Sequence, residues 1–278
     1  MSAHRPTITI IGAGRVGPTL GRRLRERGWR IGAVITRSRK TATAAVRAIG
    51  AGHALARLDA TALAADVVLI TTPDRSIAIV AGKLARLGRH HWQGKTVLHT
   101  NGALDRSVLT PLARLGAATG SLHPLQTFSG RNVPSLDGCI CAIEGTPVAL
   151  RVARRICRDL GCIPVVIPAR AKPAYHAAGA LAAGHILAVI EAATRILIAQ
   201  GFSRRDAVRA LLPLTRQTLA NFERLGARPS WTGPLARGDF ATVRKHASAL
   251  RRFPREYREA YAALSRLSLL VLGKGSEK

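Results

Sequence analysis

The sequence is poor in aromatic and acidic residues, and each shortage excludes some functions. Only 4% of the 278 residues are aromatic, which leaves few side chains for the bases of a single-stranded nucleic acid to stack on. Acidic residues number 15 against 43 lysines and arginines, so the formal net charge is +28. The arginines are spread along successive predicted helices and form no single run. Solvated basic helix faces therefore explain the charge better than nucleic-acid binding, although small anions would still be attracted.

Cysteine and long apolar runs are also scarce. The four cysteines, Cys139, Cys141, Cys157 and Cys162, lack C-x-x-C spacing and an accompanying histidine cluster. This pattern predicts buried free thiols in a reducing compartment, with neither a metal site nor a redox pair. The longest apolar stretch, residues 177–190, is too short to cross a membrane, and no charged and apolar leader precedes the first predicted strand. These features predict a cytoplasmic protein that does not enter a membrane.

The most informative stretch present is residues 7–20, TITIIGAGRVGPTL, in which an apolar strand runs into a glycine-rich turn and a helix. Gly12, Gly14 and Gly17 have G-x-G-x-x-G spacing. The first glycine permits a tight turn, the second lets a pyrophosphate approach the backbone, and the third lets helix and strand pack closely. With Arg15 and Val16 between them, these residues are the predicted pyrophosphate site at a helix N-terminus.

The end of the second predicted strand indicates which dinucleotide binds. An acidic residue about 20 positions past the glycines would hold the 2′-hydroxyl of NAD. Residues 36–40 of this chain contain no carboxylate. Hydroxyl and guanidinium groups would instead hold a 2′-phosphate, so the sequence favours NADP. The predicted 2′-phosphate contacts are Thr36, Arg37, Ser38 and Arg39. The alternative is that these residues only form the basic N-terminus of the next helix.

Strands and helices alternate as far as residue 168, and nearly everything beyond it is predicted to be helical. This pattern predicts an α/β fold, a Rossmann-like doubly wound mostly parallel sheet followed by an all-α C-terminal domain. We expect a dinucleotide-binding domain over residues 1–168 and a helical substrate or dimerisation domain over residues 169–278.

Two further strand ends supply candidate cofactor contacts. The segment DVVLITTP is a buried strand followed by Thr71, Thr72 and Pro73, and strand ends of this kind face the ligand crevice. Helix capping is the simpler role for these residues, and the two roles are compatible. The segment HTNGAL adds Thr100 and Asn101 where the nicotinamide end is expected.

Three basic residues are the candidates for chemistry on the substrate. His123 lies in GSLHPLQTF, where Pro124 favours an extended backbone, and a histidine can exchange the proton that carbonyl reduction needs. Ordering the loop is an equal alternative. Lys172 and His176 stand four residues apart at the start of the helical region, and if both are helical they share one face. The alternative is a solvated lysine beside a packed histidine.

Seven segments carry a resemblance to a known family: IIGAGRVG, VVLITTPD, LHTNGAL, GSLHPLQTF, KPAYHAAG, LLPLTRQTLAN and TGPLARGD. In this order they resemble an uncharacterised family that joins a Rossmann-like domain to a helical C-terminal domain of unknown function. The chain is more distantly similar to pyrroline-5-carboxylate reductase, to 6-phosphogluconate and 3-hydroxyacid dehydrogenases, and to deazaflavin-dependent NADP reductases. The resemblance implies the fold, a bound dinucleotide and a homodimer formed through the C-terminal helices.

The resemblance also bears on individual residues. The HPL segment resembles the HPM segment of prephenate dehydrogenases, whose histidine interacts with the substrate hydroxyl, and Lys172 lies broadly where hydroxyacid dehydrogenases have a catalytic lysine. Asn101 and Gly184 depart from the family, which usually has serine and asparagine there. A changed substrate or a lost activity would follow from these departures.

Together these features predict an NADP-dependent oxidoreductase that transfers hydride between NADPH and a small carboxylate-bearing substrate, such as a 2-oxo acid. Ketopantoate is one such acid. His123 or Lys172 would supply the proton, and His176 would orient the substrate. The alternatives are an imine reductase of the pyrroline-5-carboxylate type, a non-catalytic NADP-binding regulatory protein and, third, a nucleic-acid-binding protein.

Overall fold

The structure, a computed structural model, describes residues 6–88, 90–129 and 134–273. The chain divides into two compact units, Met1–Ala183 and Gly184–Lys278. The sheet of the first unit ends close to the expected domain boundary at residue 168. The helix Lys172–Ala180, which follows the sheet, still belongs to the first unit because its side chains contact residues of the sheet.

The first unit is built on an eight-stranded sheet with the strand order β3-β2-β1-β4-β5-β6-β7-β8. Neighbouring strands are parallel except β6 and β7, which are antiparallel, so that β7 and β8 run opposite to the others. The strands are β1 (Thr7–Ile11), β2 (Arg30–Ile35), β3 (His53–Leu55), β4 (Val67–Ile70), β5 (Thr96–His99), β6 (Ala118–Pro124), β7 (Ile140–Gly145) and β8 (Ile163–Val166).

Helices cover both faces of this sheet. One face is packed by α1 and α5, whose Leu20, Leu24 and Ile156 share a core cluster with β1 and β7. The opposite face is packed by α3 and α4 through Ile77, Leu84 and other residues of a second cluster. The helices of the first unit are α1 (Val16–Glu26), α2 (Arg39–Ile49), α3 (Asp74–Leu87), α4 (Thr110–Ala113), α5 (Pro147–Asp159) and α6 (Lys172–Ala180).

The buried central strands explain this layered arrangement. All four residues of β4, VVLI, are buried, as are residues 8–11 of β1. A strand buried on both faces has apolar residues at nearly every position, as in parallel sheets with helices on both sides. Together with the helical second unit, the eight-stranded sheet confirms the predicted fold class.

The second unit is helical throughout its regular elements. Ser203 caps its longest helix by accepting a hydrogen bond from the backbone of Asp206. A π-helical turn at Leu181–His185 joins α6 to the first helix of this unit. The helices are α7 (Ile186–Ile198), α8 (Arg204–Leu225), α9 (Ala227–Ser230), α10 (Phe240–Ala249) and α11 (Arg255–Leu272).

Two local expectations differ from the structure. Gly120–Phe128 was expected to be a loop, but β6 extends to Pro124 and so contains both Ser121 and His123. The helical run Ala169–Ile198 is longer than residues 177–190, the apolar stretch that was predicted from the sequence to be too short to cross a membrane. By length and composition alone it is long and apolar enough to cross a membrane.

Candidate functional site

The glycine turn after β1 has the backbone geometry that its spacing predicts. Gly12 has φ +101°, and a Cβ there would lie 2.7 Å from the backbone of Thr71. A Cβ on Gly17 would overlap the Gly12 carbonyl oxygen. Gly14 differs, because none of the described residues other than its chain neighbours has a heavy atom within 4 Å of its Cβ position. Gly12 and Gly17 are therefore needed by the turn itself, whereas Gly14 borders open space.

The residues that follow β4 hold this turn. The Thr71 hydroxyl donates to the Gly12 carbonyl at 2.6 Å, and its backbone N–H donates to Ile11 at 2.8 Å. Within the described residues, the buried Thr72 hydroxyl has no hydrogen-bond partner. Pro73 precedes the first turn of α3. Thr71 thus supports the turn, whereas Thr72 has hydrogen-bonding capacity left over beside it.

The predicted 2′-phosphate residues form a hydroxyl cluster at the end of β2. The Thr36 hydroxyl donates to the Ser38 carbonyl at 2.8 Å and lies 2.6 Å from the Thr41 hydroxyl. Ser38 caps α2 by accepting from the Thr41 backbone at 3.2 Å. Arg37 and Arg39 flank this cap and are exposed. The cluster presents hydroxyl and guanidinium groups without a carboxylate.

Arg15 and Val16 begin the helix after the glycine turn. The Arg15 guanidinium donates to the Phe128 carbonyl at 3.3 Å, which ties this turn to the segment that follows β6. Val16 is partly buried against the core cluster that contains α1 and α5. Arg15 is thus placed beside the turn with an exposed charge.

The loop after β5 is ordered by a buried histidine. His99 accepts a hydrogen bond from the Asn101 backbone at 3.2 Å on Nδ1, and its Nε2 lies 3.1 Å from the Asp105 carbonyl. Burial lowers the pKa of His99 to about 4, so the ring is neutral and Nε2 carries the donated proton. Thr100 is tied to β4 through its backbone N–H, which donates to Ile70.

The Asn101 side chain is engaged within its own loop. Its Oδ1 accepts from the backbone of Ala103 at 2.7 Å and of Leu104 at 2.5 Å. This arrangement is an Asx-type turn, in which the amide oxygen replaces a backbone acceptor. The structure therefore gives Asn101 a loop-ordering role, and its predicted contact to the cofactor stays a prediction.

The candidate catalytic histidines meet at this loop. The His123 and His176 rings are 5.6 Å apart between centroids, with interplanar angle 75°. A Cβ on Gly102 would lie 2.5 Å from Cδ2 of His176 and 2.9 Å from Nε2 of His123. Both imidazoles therefore pack against the bare glycine backbone, and this position has no room for a side chain.

Tyr175 completes the group, and the sequence reasoning missed it. Its hydroxyl lies 3.0 Å from Nδ1 of His123 and also donates to the His123 carbonyl at 3.4 Å. Burial, with smaller contributions from the nearby His176 and Lys172, lowers the pKa of His123 to about 4. Burial raises the pKa of Tyr175 to about 12. At neutral pH the histidine is neutral and the tyrosine is protonated.

Lys172 occupies an unexpected environment. It has no solvent-accessible surface, whereas His176 on the next helical turn is exposed. Its Nζ donates to the Ser121 hydroxyl at 2.8 Å and to the Asn101 carbonyl at 3.3 Å. Both residues are helical, as the shared-face prediction required, but the alternative of a solvated lysine is wrong. In this structure, Lys172 is held inside the first unit.

Glu144 is the acidic neighbour of this lysine. It lies opposite Ser121 in the antiparallel β6–β7 pair, so the two side chains share a sheet face. Its carboxylate accepts from the Arg106 backbone at 2.9 Å. Burial raises the pKa of Glu144 and lowers that of Lys172, while the two charges offset part of both shifts. The result is a buried polar cluster beneath the histidines.

The sequence-predicted residues thus form two groups at one edge of the sheet. The glycine turn, Thr71 and Thr72 lie together at the ends of β1 and β4, and His123, Lys172 and His176 lie around β6. The residues that sequence reasoning missed are Ser121, Glu144 and Tyr175. Only Tyr175 had a usable signal, because it stands beside His176 in the segment KPAYH. Among the described residues, no group of three histidine, cysteine or acidic side chains is arranged to hold a metal ion.

Comparisons with known proteins agree with this architecture. Residues 1–124 match a Rossmann-like domain, and residues 139–268 match the family described as a domain of unknown function, DUF2520. Among curated protein sequences, none matches this chain.

Several solved structures share the fold over nearly the whole chain. A candidate NADP oxidoreductase from Bacteroides fragilis is 21% identical with a TM-score of 0.75, over 94% of this chain and 97% of that one. A Thermotoga maritima protein is 23% identical with a TM-score of 0.73, over 98% and 100% of the two chains. A reductive aminase from Aspergillus terreus, in complex with NADPH and ethyl-5-oxohexanoate, is 18% identical with a TM-score of 0.72, over 96% and 94%. The chain therefore joins a Rossmann-like domain to a DUF2520 domain, as its sequence motifs predicted.

Proposed function

We propose that this protein is an NADP-dependent oxidoreductase that reduces a small carbonyl substrate bearing a carboxylate, such as a 2-oxo acid. One observation carries the proposal: His123 and His176 meet at Gly102, with Tyr175 hydrogen-bonded to His123, at the sheet edge that also bears the glycine turn. Dinucleotides bind along this edge in doubly wound sheets, outside the carboxyl ends of the strands.

The residues at the glycine turn fit a dinucleotide. The open space at Gly14 leaves room for a pyrophosphate against the backbone. The hydroxyl cluster at Thr36 and Ser38, flanked by Arg37 and Arg39, suits the 2′-phosphate of NADP. Two of the structural relatives were solved in complex with NADPH or NADP+, which supports the same cofactor for this protein.

The spacing of the strands also suits such a ligand. β1 and β6 are separated by β4 and β5 in the sheet. At about 4.8 Å between neighbouring strands, the glycine turn and His123 are roughly 14 Å apart across the sheet. An extended dinucleotide bound at Gly14 can therefore present its nicotinamide near His123 and His176.

NADPH would supply the hydride, and this chain's residues would manage the charge that develops on the substrate oxygen. When Tyr175 donates to Nδ1 of His123, the ring proton is on Nε2, which faces Gly102. Nε2–H then donates to the substrate oxygen. As that proton moves, the Tyr175 hydroxyl passes its own proton to Nδ1, so the ring stays neutral, and the tyrosinate that remains takes up a proton from solvent after the product leaves.

The environment of Lys172 favours His123 as the proton donor. A side chain without exposed surface does not touch a substrate in this structure, so Lys172 acts as a positioning residue through Ser121 and Asn101. Its buried positive charge would stabilise an oxyanion on the substrate. A cationic iminium would be disfavoured for the same reason, which is why a carbonyl substrate ranks first.

Imine reduction is the second candidate. It is favoured by the structural relatives, which include an imine reductase from Myxococcus stipitatus in complex with NADP+ that is 17% identical with a TM-score of 0.69. An imine needs the same hydride donor and the same site. The remaining alternative is a protein that binds NADP without turnover.

We also propose that the protein is a cytoplasmic homodimer formed through its second unit. Large apolar side chains on this unit are exposed in the single chain, among them Leu187, Leu214, Phe222 and Leu270. A surface of this kind is typical of an obligate subunit interface. Light scattering coupled to size-exclusion chromatography should give twice the chain mass, and recovery of the protein only in membranes would contradict the proposal.

The cofactor is tested first. NADPH binding is measured by calorimetry for the wild type and for Gly14→Val. Because Gly14 has open space around it, this variant should keep its unfolding free energy and lose NADPH affinity by at least about 100-fold. Gly82→Ala, in the middle of α3 with ordinary van der Waals space at its Cβ position, is the matched control. Equal NADPH affinity in wild type and Gly14→Val would contradict a pyrophosphate at this turn.

The reaction is tested next, by NADPH oxidation with a panel of 2-oxo acids and cyclic imines. His123→Ala should lose about 100-fold or more in kcat, and Tyr175→Phe about 10-fold, with NADPH affinity unchanged. His53→Ala on the edge strand β3 is the matched control. Turnover of imines alone would favour the second candidate, and NADPH binding without turnover of any panel member would favour the regulatory alternative.

A further inference from the structure

We propose that Cys139 and Cys162 form a thiol–disulfide site whose reactant is a low-molecular-weight disulfide such as oxidised glutathione. The two cysteines stand immediately before β7 and β8, which pair in parallel with Ile140 opposite Ile163. The inference does not depend on the proposed oxidoreductase activity.

Backbone hydrogen bonds fix the two cysteines opposite each other. On one side the Gly138 N–H donates to the Gly161 carbonyl at 2.8 Å, and on the other the Ile163 N–H donates to the Cys139 carbonyl at 2.9 Å. Strands paired in this way are about 4.8 Å apart, within the Cα separation that a disulfide requires. The cysteines can therefore be bridged without moving the strands.

The side chains face each other as well. Residues opposite each other on paired strands point to the same face of the sheet, so the two thiols lie side by side on one face. The Cys162 thiol donates to the Leu136 carbonyl at 3.5 Å. Cys139 is partly exposed, whereas Cys162 is only 5% exposed. Cys139 is therefore the thiol that an external reactant meets first.

The exchange would proceed in two balanced steps. The Cys139 thiolate attacks one sulfur of oxidised glutathione, forming a mixed disulfide and releasing one glutathione thiolate. The Cys162 thiolate then attacks the Cys139 sulfur, closes the protein disulfide and releases the second glutathione thiolate. Two protein thiols are oxidised, one small disulfide is reduced, and the two protons pass to the released thiolates.

The other two cysteines are the internal comparison. Cys141 and Cys157 lie in the same core cluster, but both are fully buried between β7 and α5. A small disulfide in solvent cannot reach them while the sheet is folded. We therefore expect selective oxidation of Cys139 and Cys162 only while the chain is folded.

Oxidation would also affect the segment that follows His123. The Cys139 thiol donates to the Leu125 carbonyl at 3.4 Å, and Leu125 lies two residues after His123. Forming the disulfide removes this S–H donor. Backbone hydrogen exchange in residues 125–129 should then become faster, with no comparable change in β1 or β4.

The experiment incubates the folded full-length protein with oxidised glutathione at pH 8.5, because burial raises the pKa of both thiols and slows the reaction at neutral pH. Intact mass and peptide mapping should show the loss of two hydrogens and a linked Cys139–Cys162 peptide. Cys162→Ser should stop at a glutathione adduct on Cys139, and the matched control Cys157→Ala should still form the linked peptide.

Three outcomes would overturn the inference. They are a predominant Cys141–Cys157 link, a glutathione adduct on the wild type that does not resolve, and cross-linking only after the protein is unfolded in urea. The mapping on the wild type decides the matter even if a variant fails to fold.

Discussion

The two faces of β6 and β7 carry opposite chemistry, although they belong to the same two strands. On one face lie Ser121, His123 and Glu144, with Lys172 bound over them. On the other face Leu122 and Cys141 pack under α5. Because side chains alternate along a strand, one residue separates the polar site from the apolar core.

The two faces differ in how they avoid the free-energy penalty of burying polar groups. On the polar face every group of the cluster has a partner, since Lys172 donates to two oxygens and Glu144 accepts from Arg106. Burial of unpaired groups of this kind would cost several kcal/mol. On the apolar face the thiols behave as small hydrophobic side chains. The two faces should therefore fail under opposite conditions.

The largest expected effect is the failure in acid of the polar face, which continues onto β5, where His99 lies opposite Ser121. The pKa of His99 falls from 6.5 to about 4 on folding, so the unfolded chain binds more protons between these values. Stability is fully present above pH 6.5 and is lost as the pH falls through 4. The loss approaches about 3 kcal/mol for this residue.

Urea unfolding at pH 7 and pH 4.5 measures this loss. His99→Asn should reduce the difference between the two unfolding free energies, and His53→Asn on β3 should not. An unchanged difference in His99→Asn would show that other groups cause the acid sensitivity. His123, whose pKa is lowered to a similar value, should add a comparable loss.

An intermediate effect is expected from removing the charge on the polar face. Lys172→Met keeps a long, unbranched side chain but leaves the Ser121 hydroxyl and the Asn101 carbonyl without their donor. We expect a loss of about 2 kcal/mol in unfolding free energy. The pKa of Glu144 should rise further, because the lysine charge now lowers it.

Carbon-detected NMR of the Glu144 carboxyl reports that pKa, and chemical denaturation gives the stability. Cys157→Ala on the opposite face serves as the comparison and should leave the pKa of Glu144 unchanged. A Glu144 titration that is the same in Lys172→Met and wild type would refute the coupling across this cluster.

The smallest expected effect is the failure of the apolar face in alkali. Burial raises the pKa of Cys162 from 9 to about 12, so the folded chain keeps a proton that the unfolded chain loses. Stability from this thiol is fully present below pH 9 and is lost as the pH rises towards 12. Between pH 9 and pH 10 the loss is about 1 kcal/mol.

Unfolding free energies of the wild type and Cys162→Ala, kept under reducing conditions at pH 8, 9 and 10, isolate this contribution. The variant should show a shallower decline above pH 9. A parallel decline in both proteins would assign the alkaline loss to other groups.

Much of the fold could be predicted from the sequence because its signals are local. The glycine spacing, the apolar strands and the alternation with helices each lie within a window of some 30 residues. The motif order also predicted the pairing of a Rossmann-like domain with a DUF2520 domain. His123 and His176 were recognised as candidates from residue type and neighbouring proline or helix spacing.

The contacts that define the candidate site were not predictable in the same way. Lys172 reaches Ser121 across 51 positions and Asn101 across 71, and Tyr175 reaches His123 across 52. Nothing in the segment KPAYH indicates that its lysine is buried. The segment also gives no sign that its tyrosine faces a histidine of another strand.

The sequence by itself determined the strands, the helices and the turn at Gly12–Gly17, because backbone propensity and side-chain periodicity act over short range. Only the tertiary structure decided that Cys139 faces Cys162 and that Lys172 lies beside Ser121. The physical reason is the sheet order, in which β6 pairs with β7 and β7 with β8. Hydrogen bonds between these strands fix their order and register. The register brings together residues that are far apart in the sequence and that no local pattern connects.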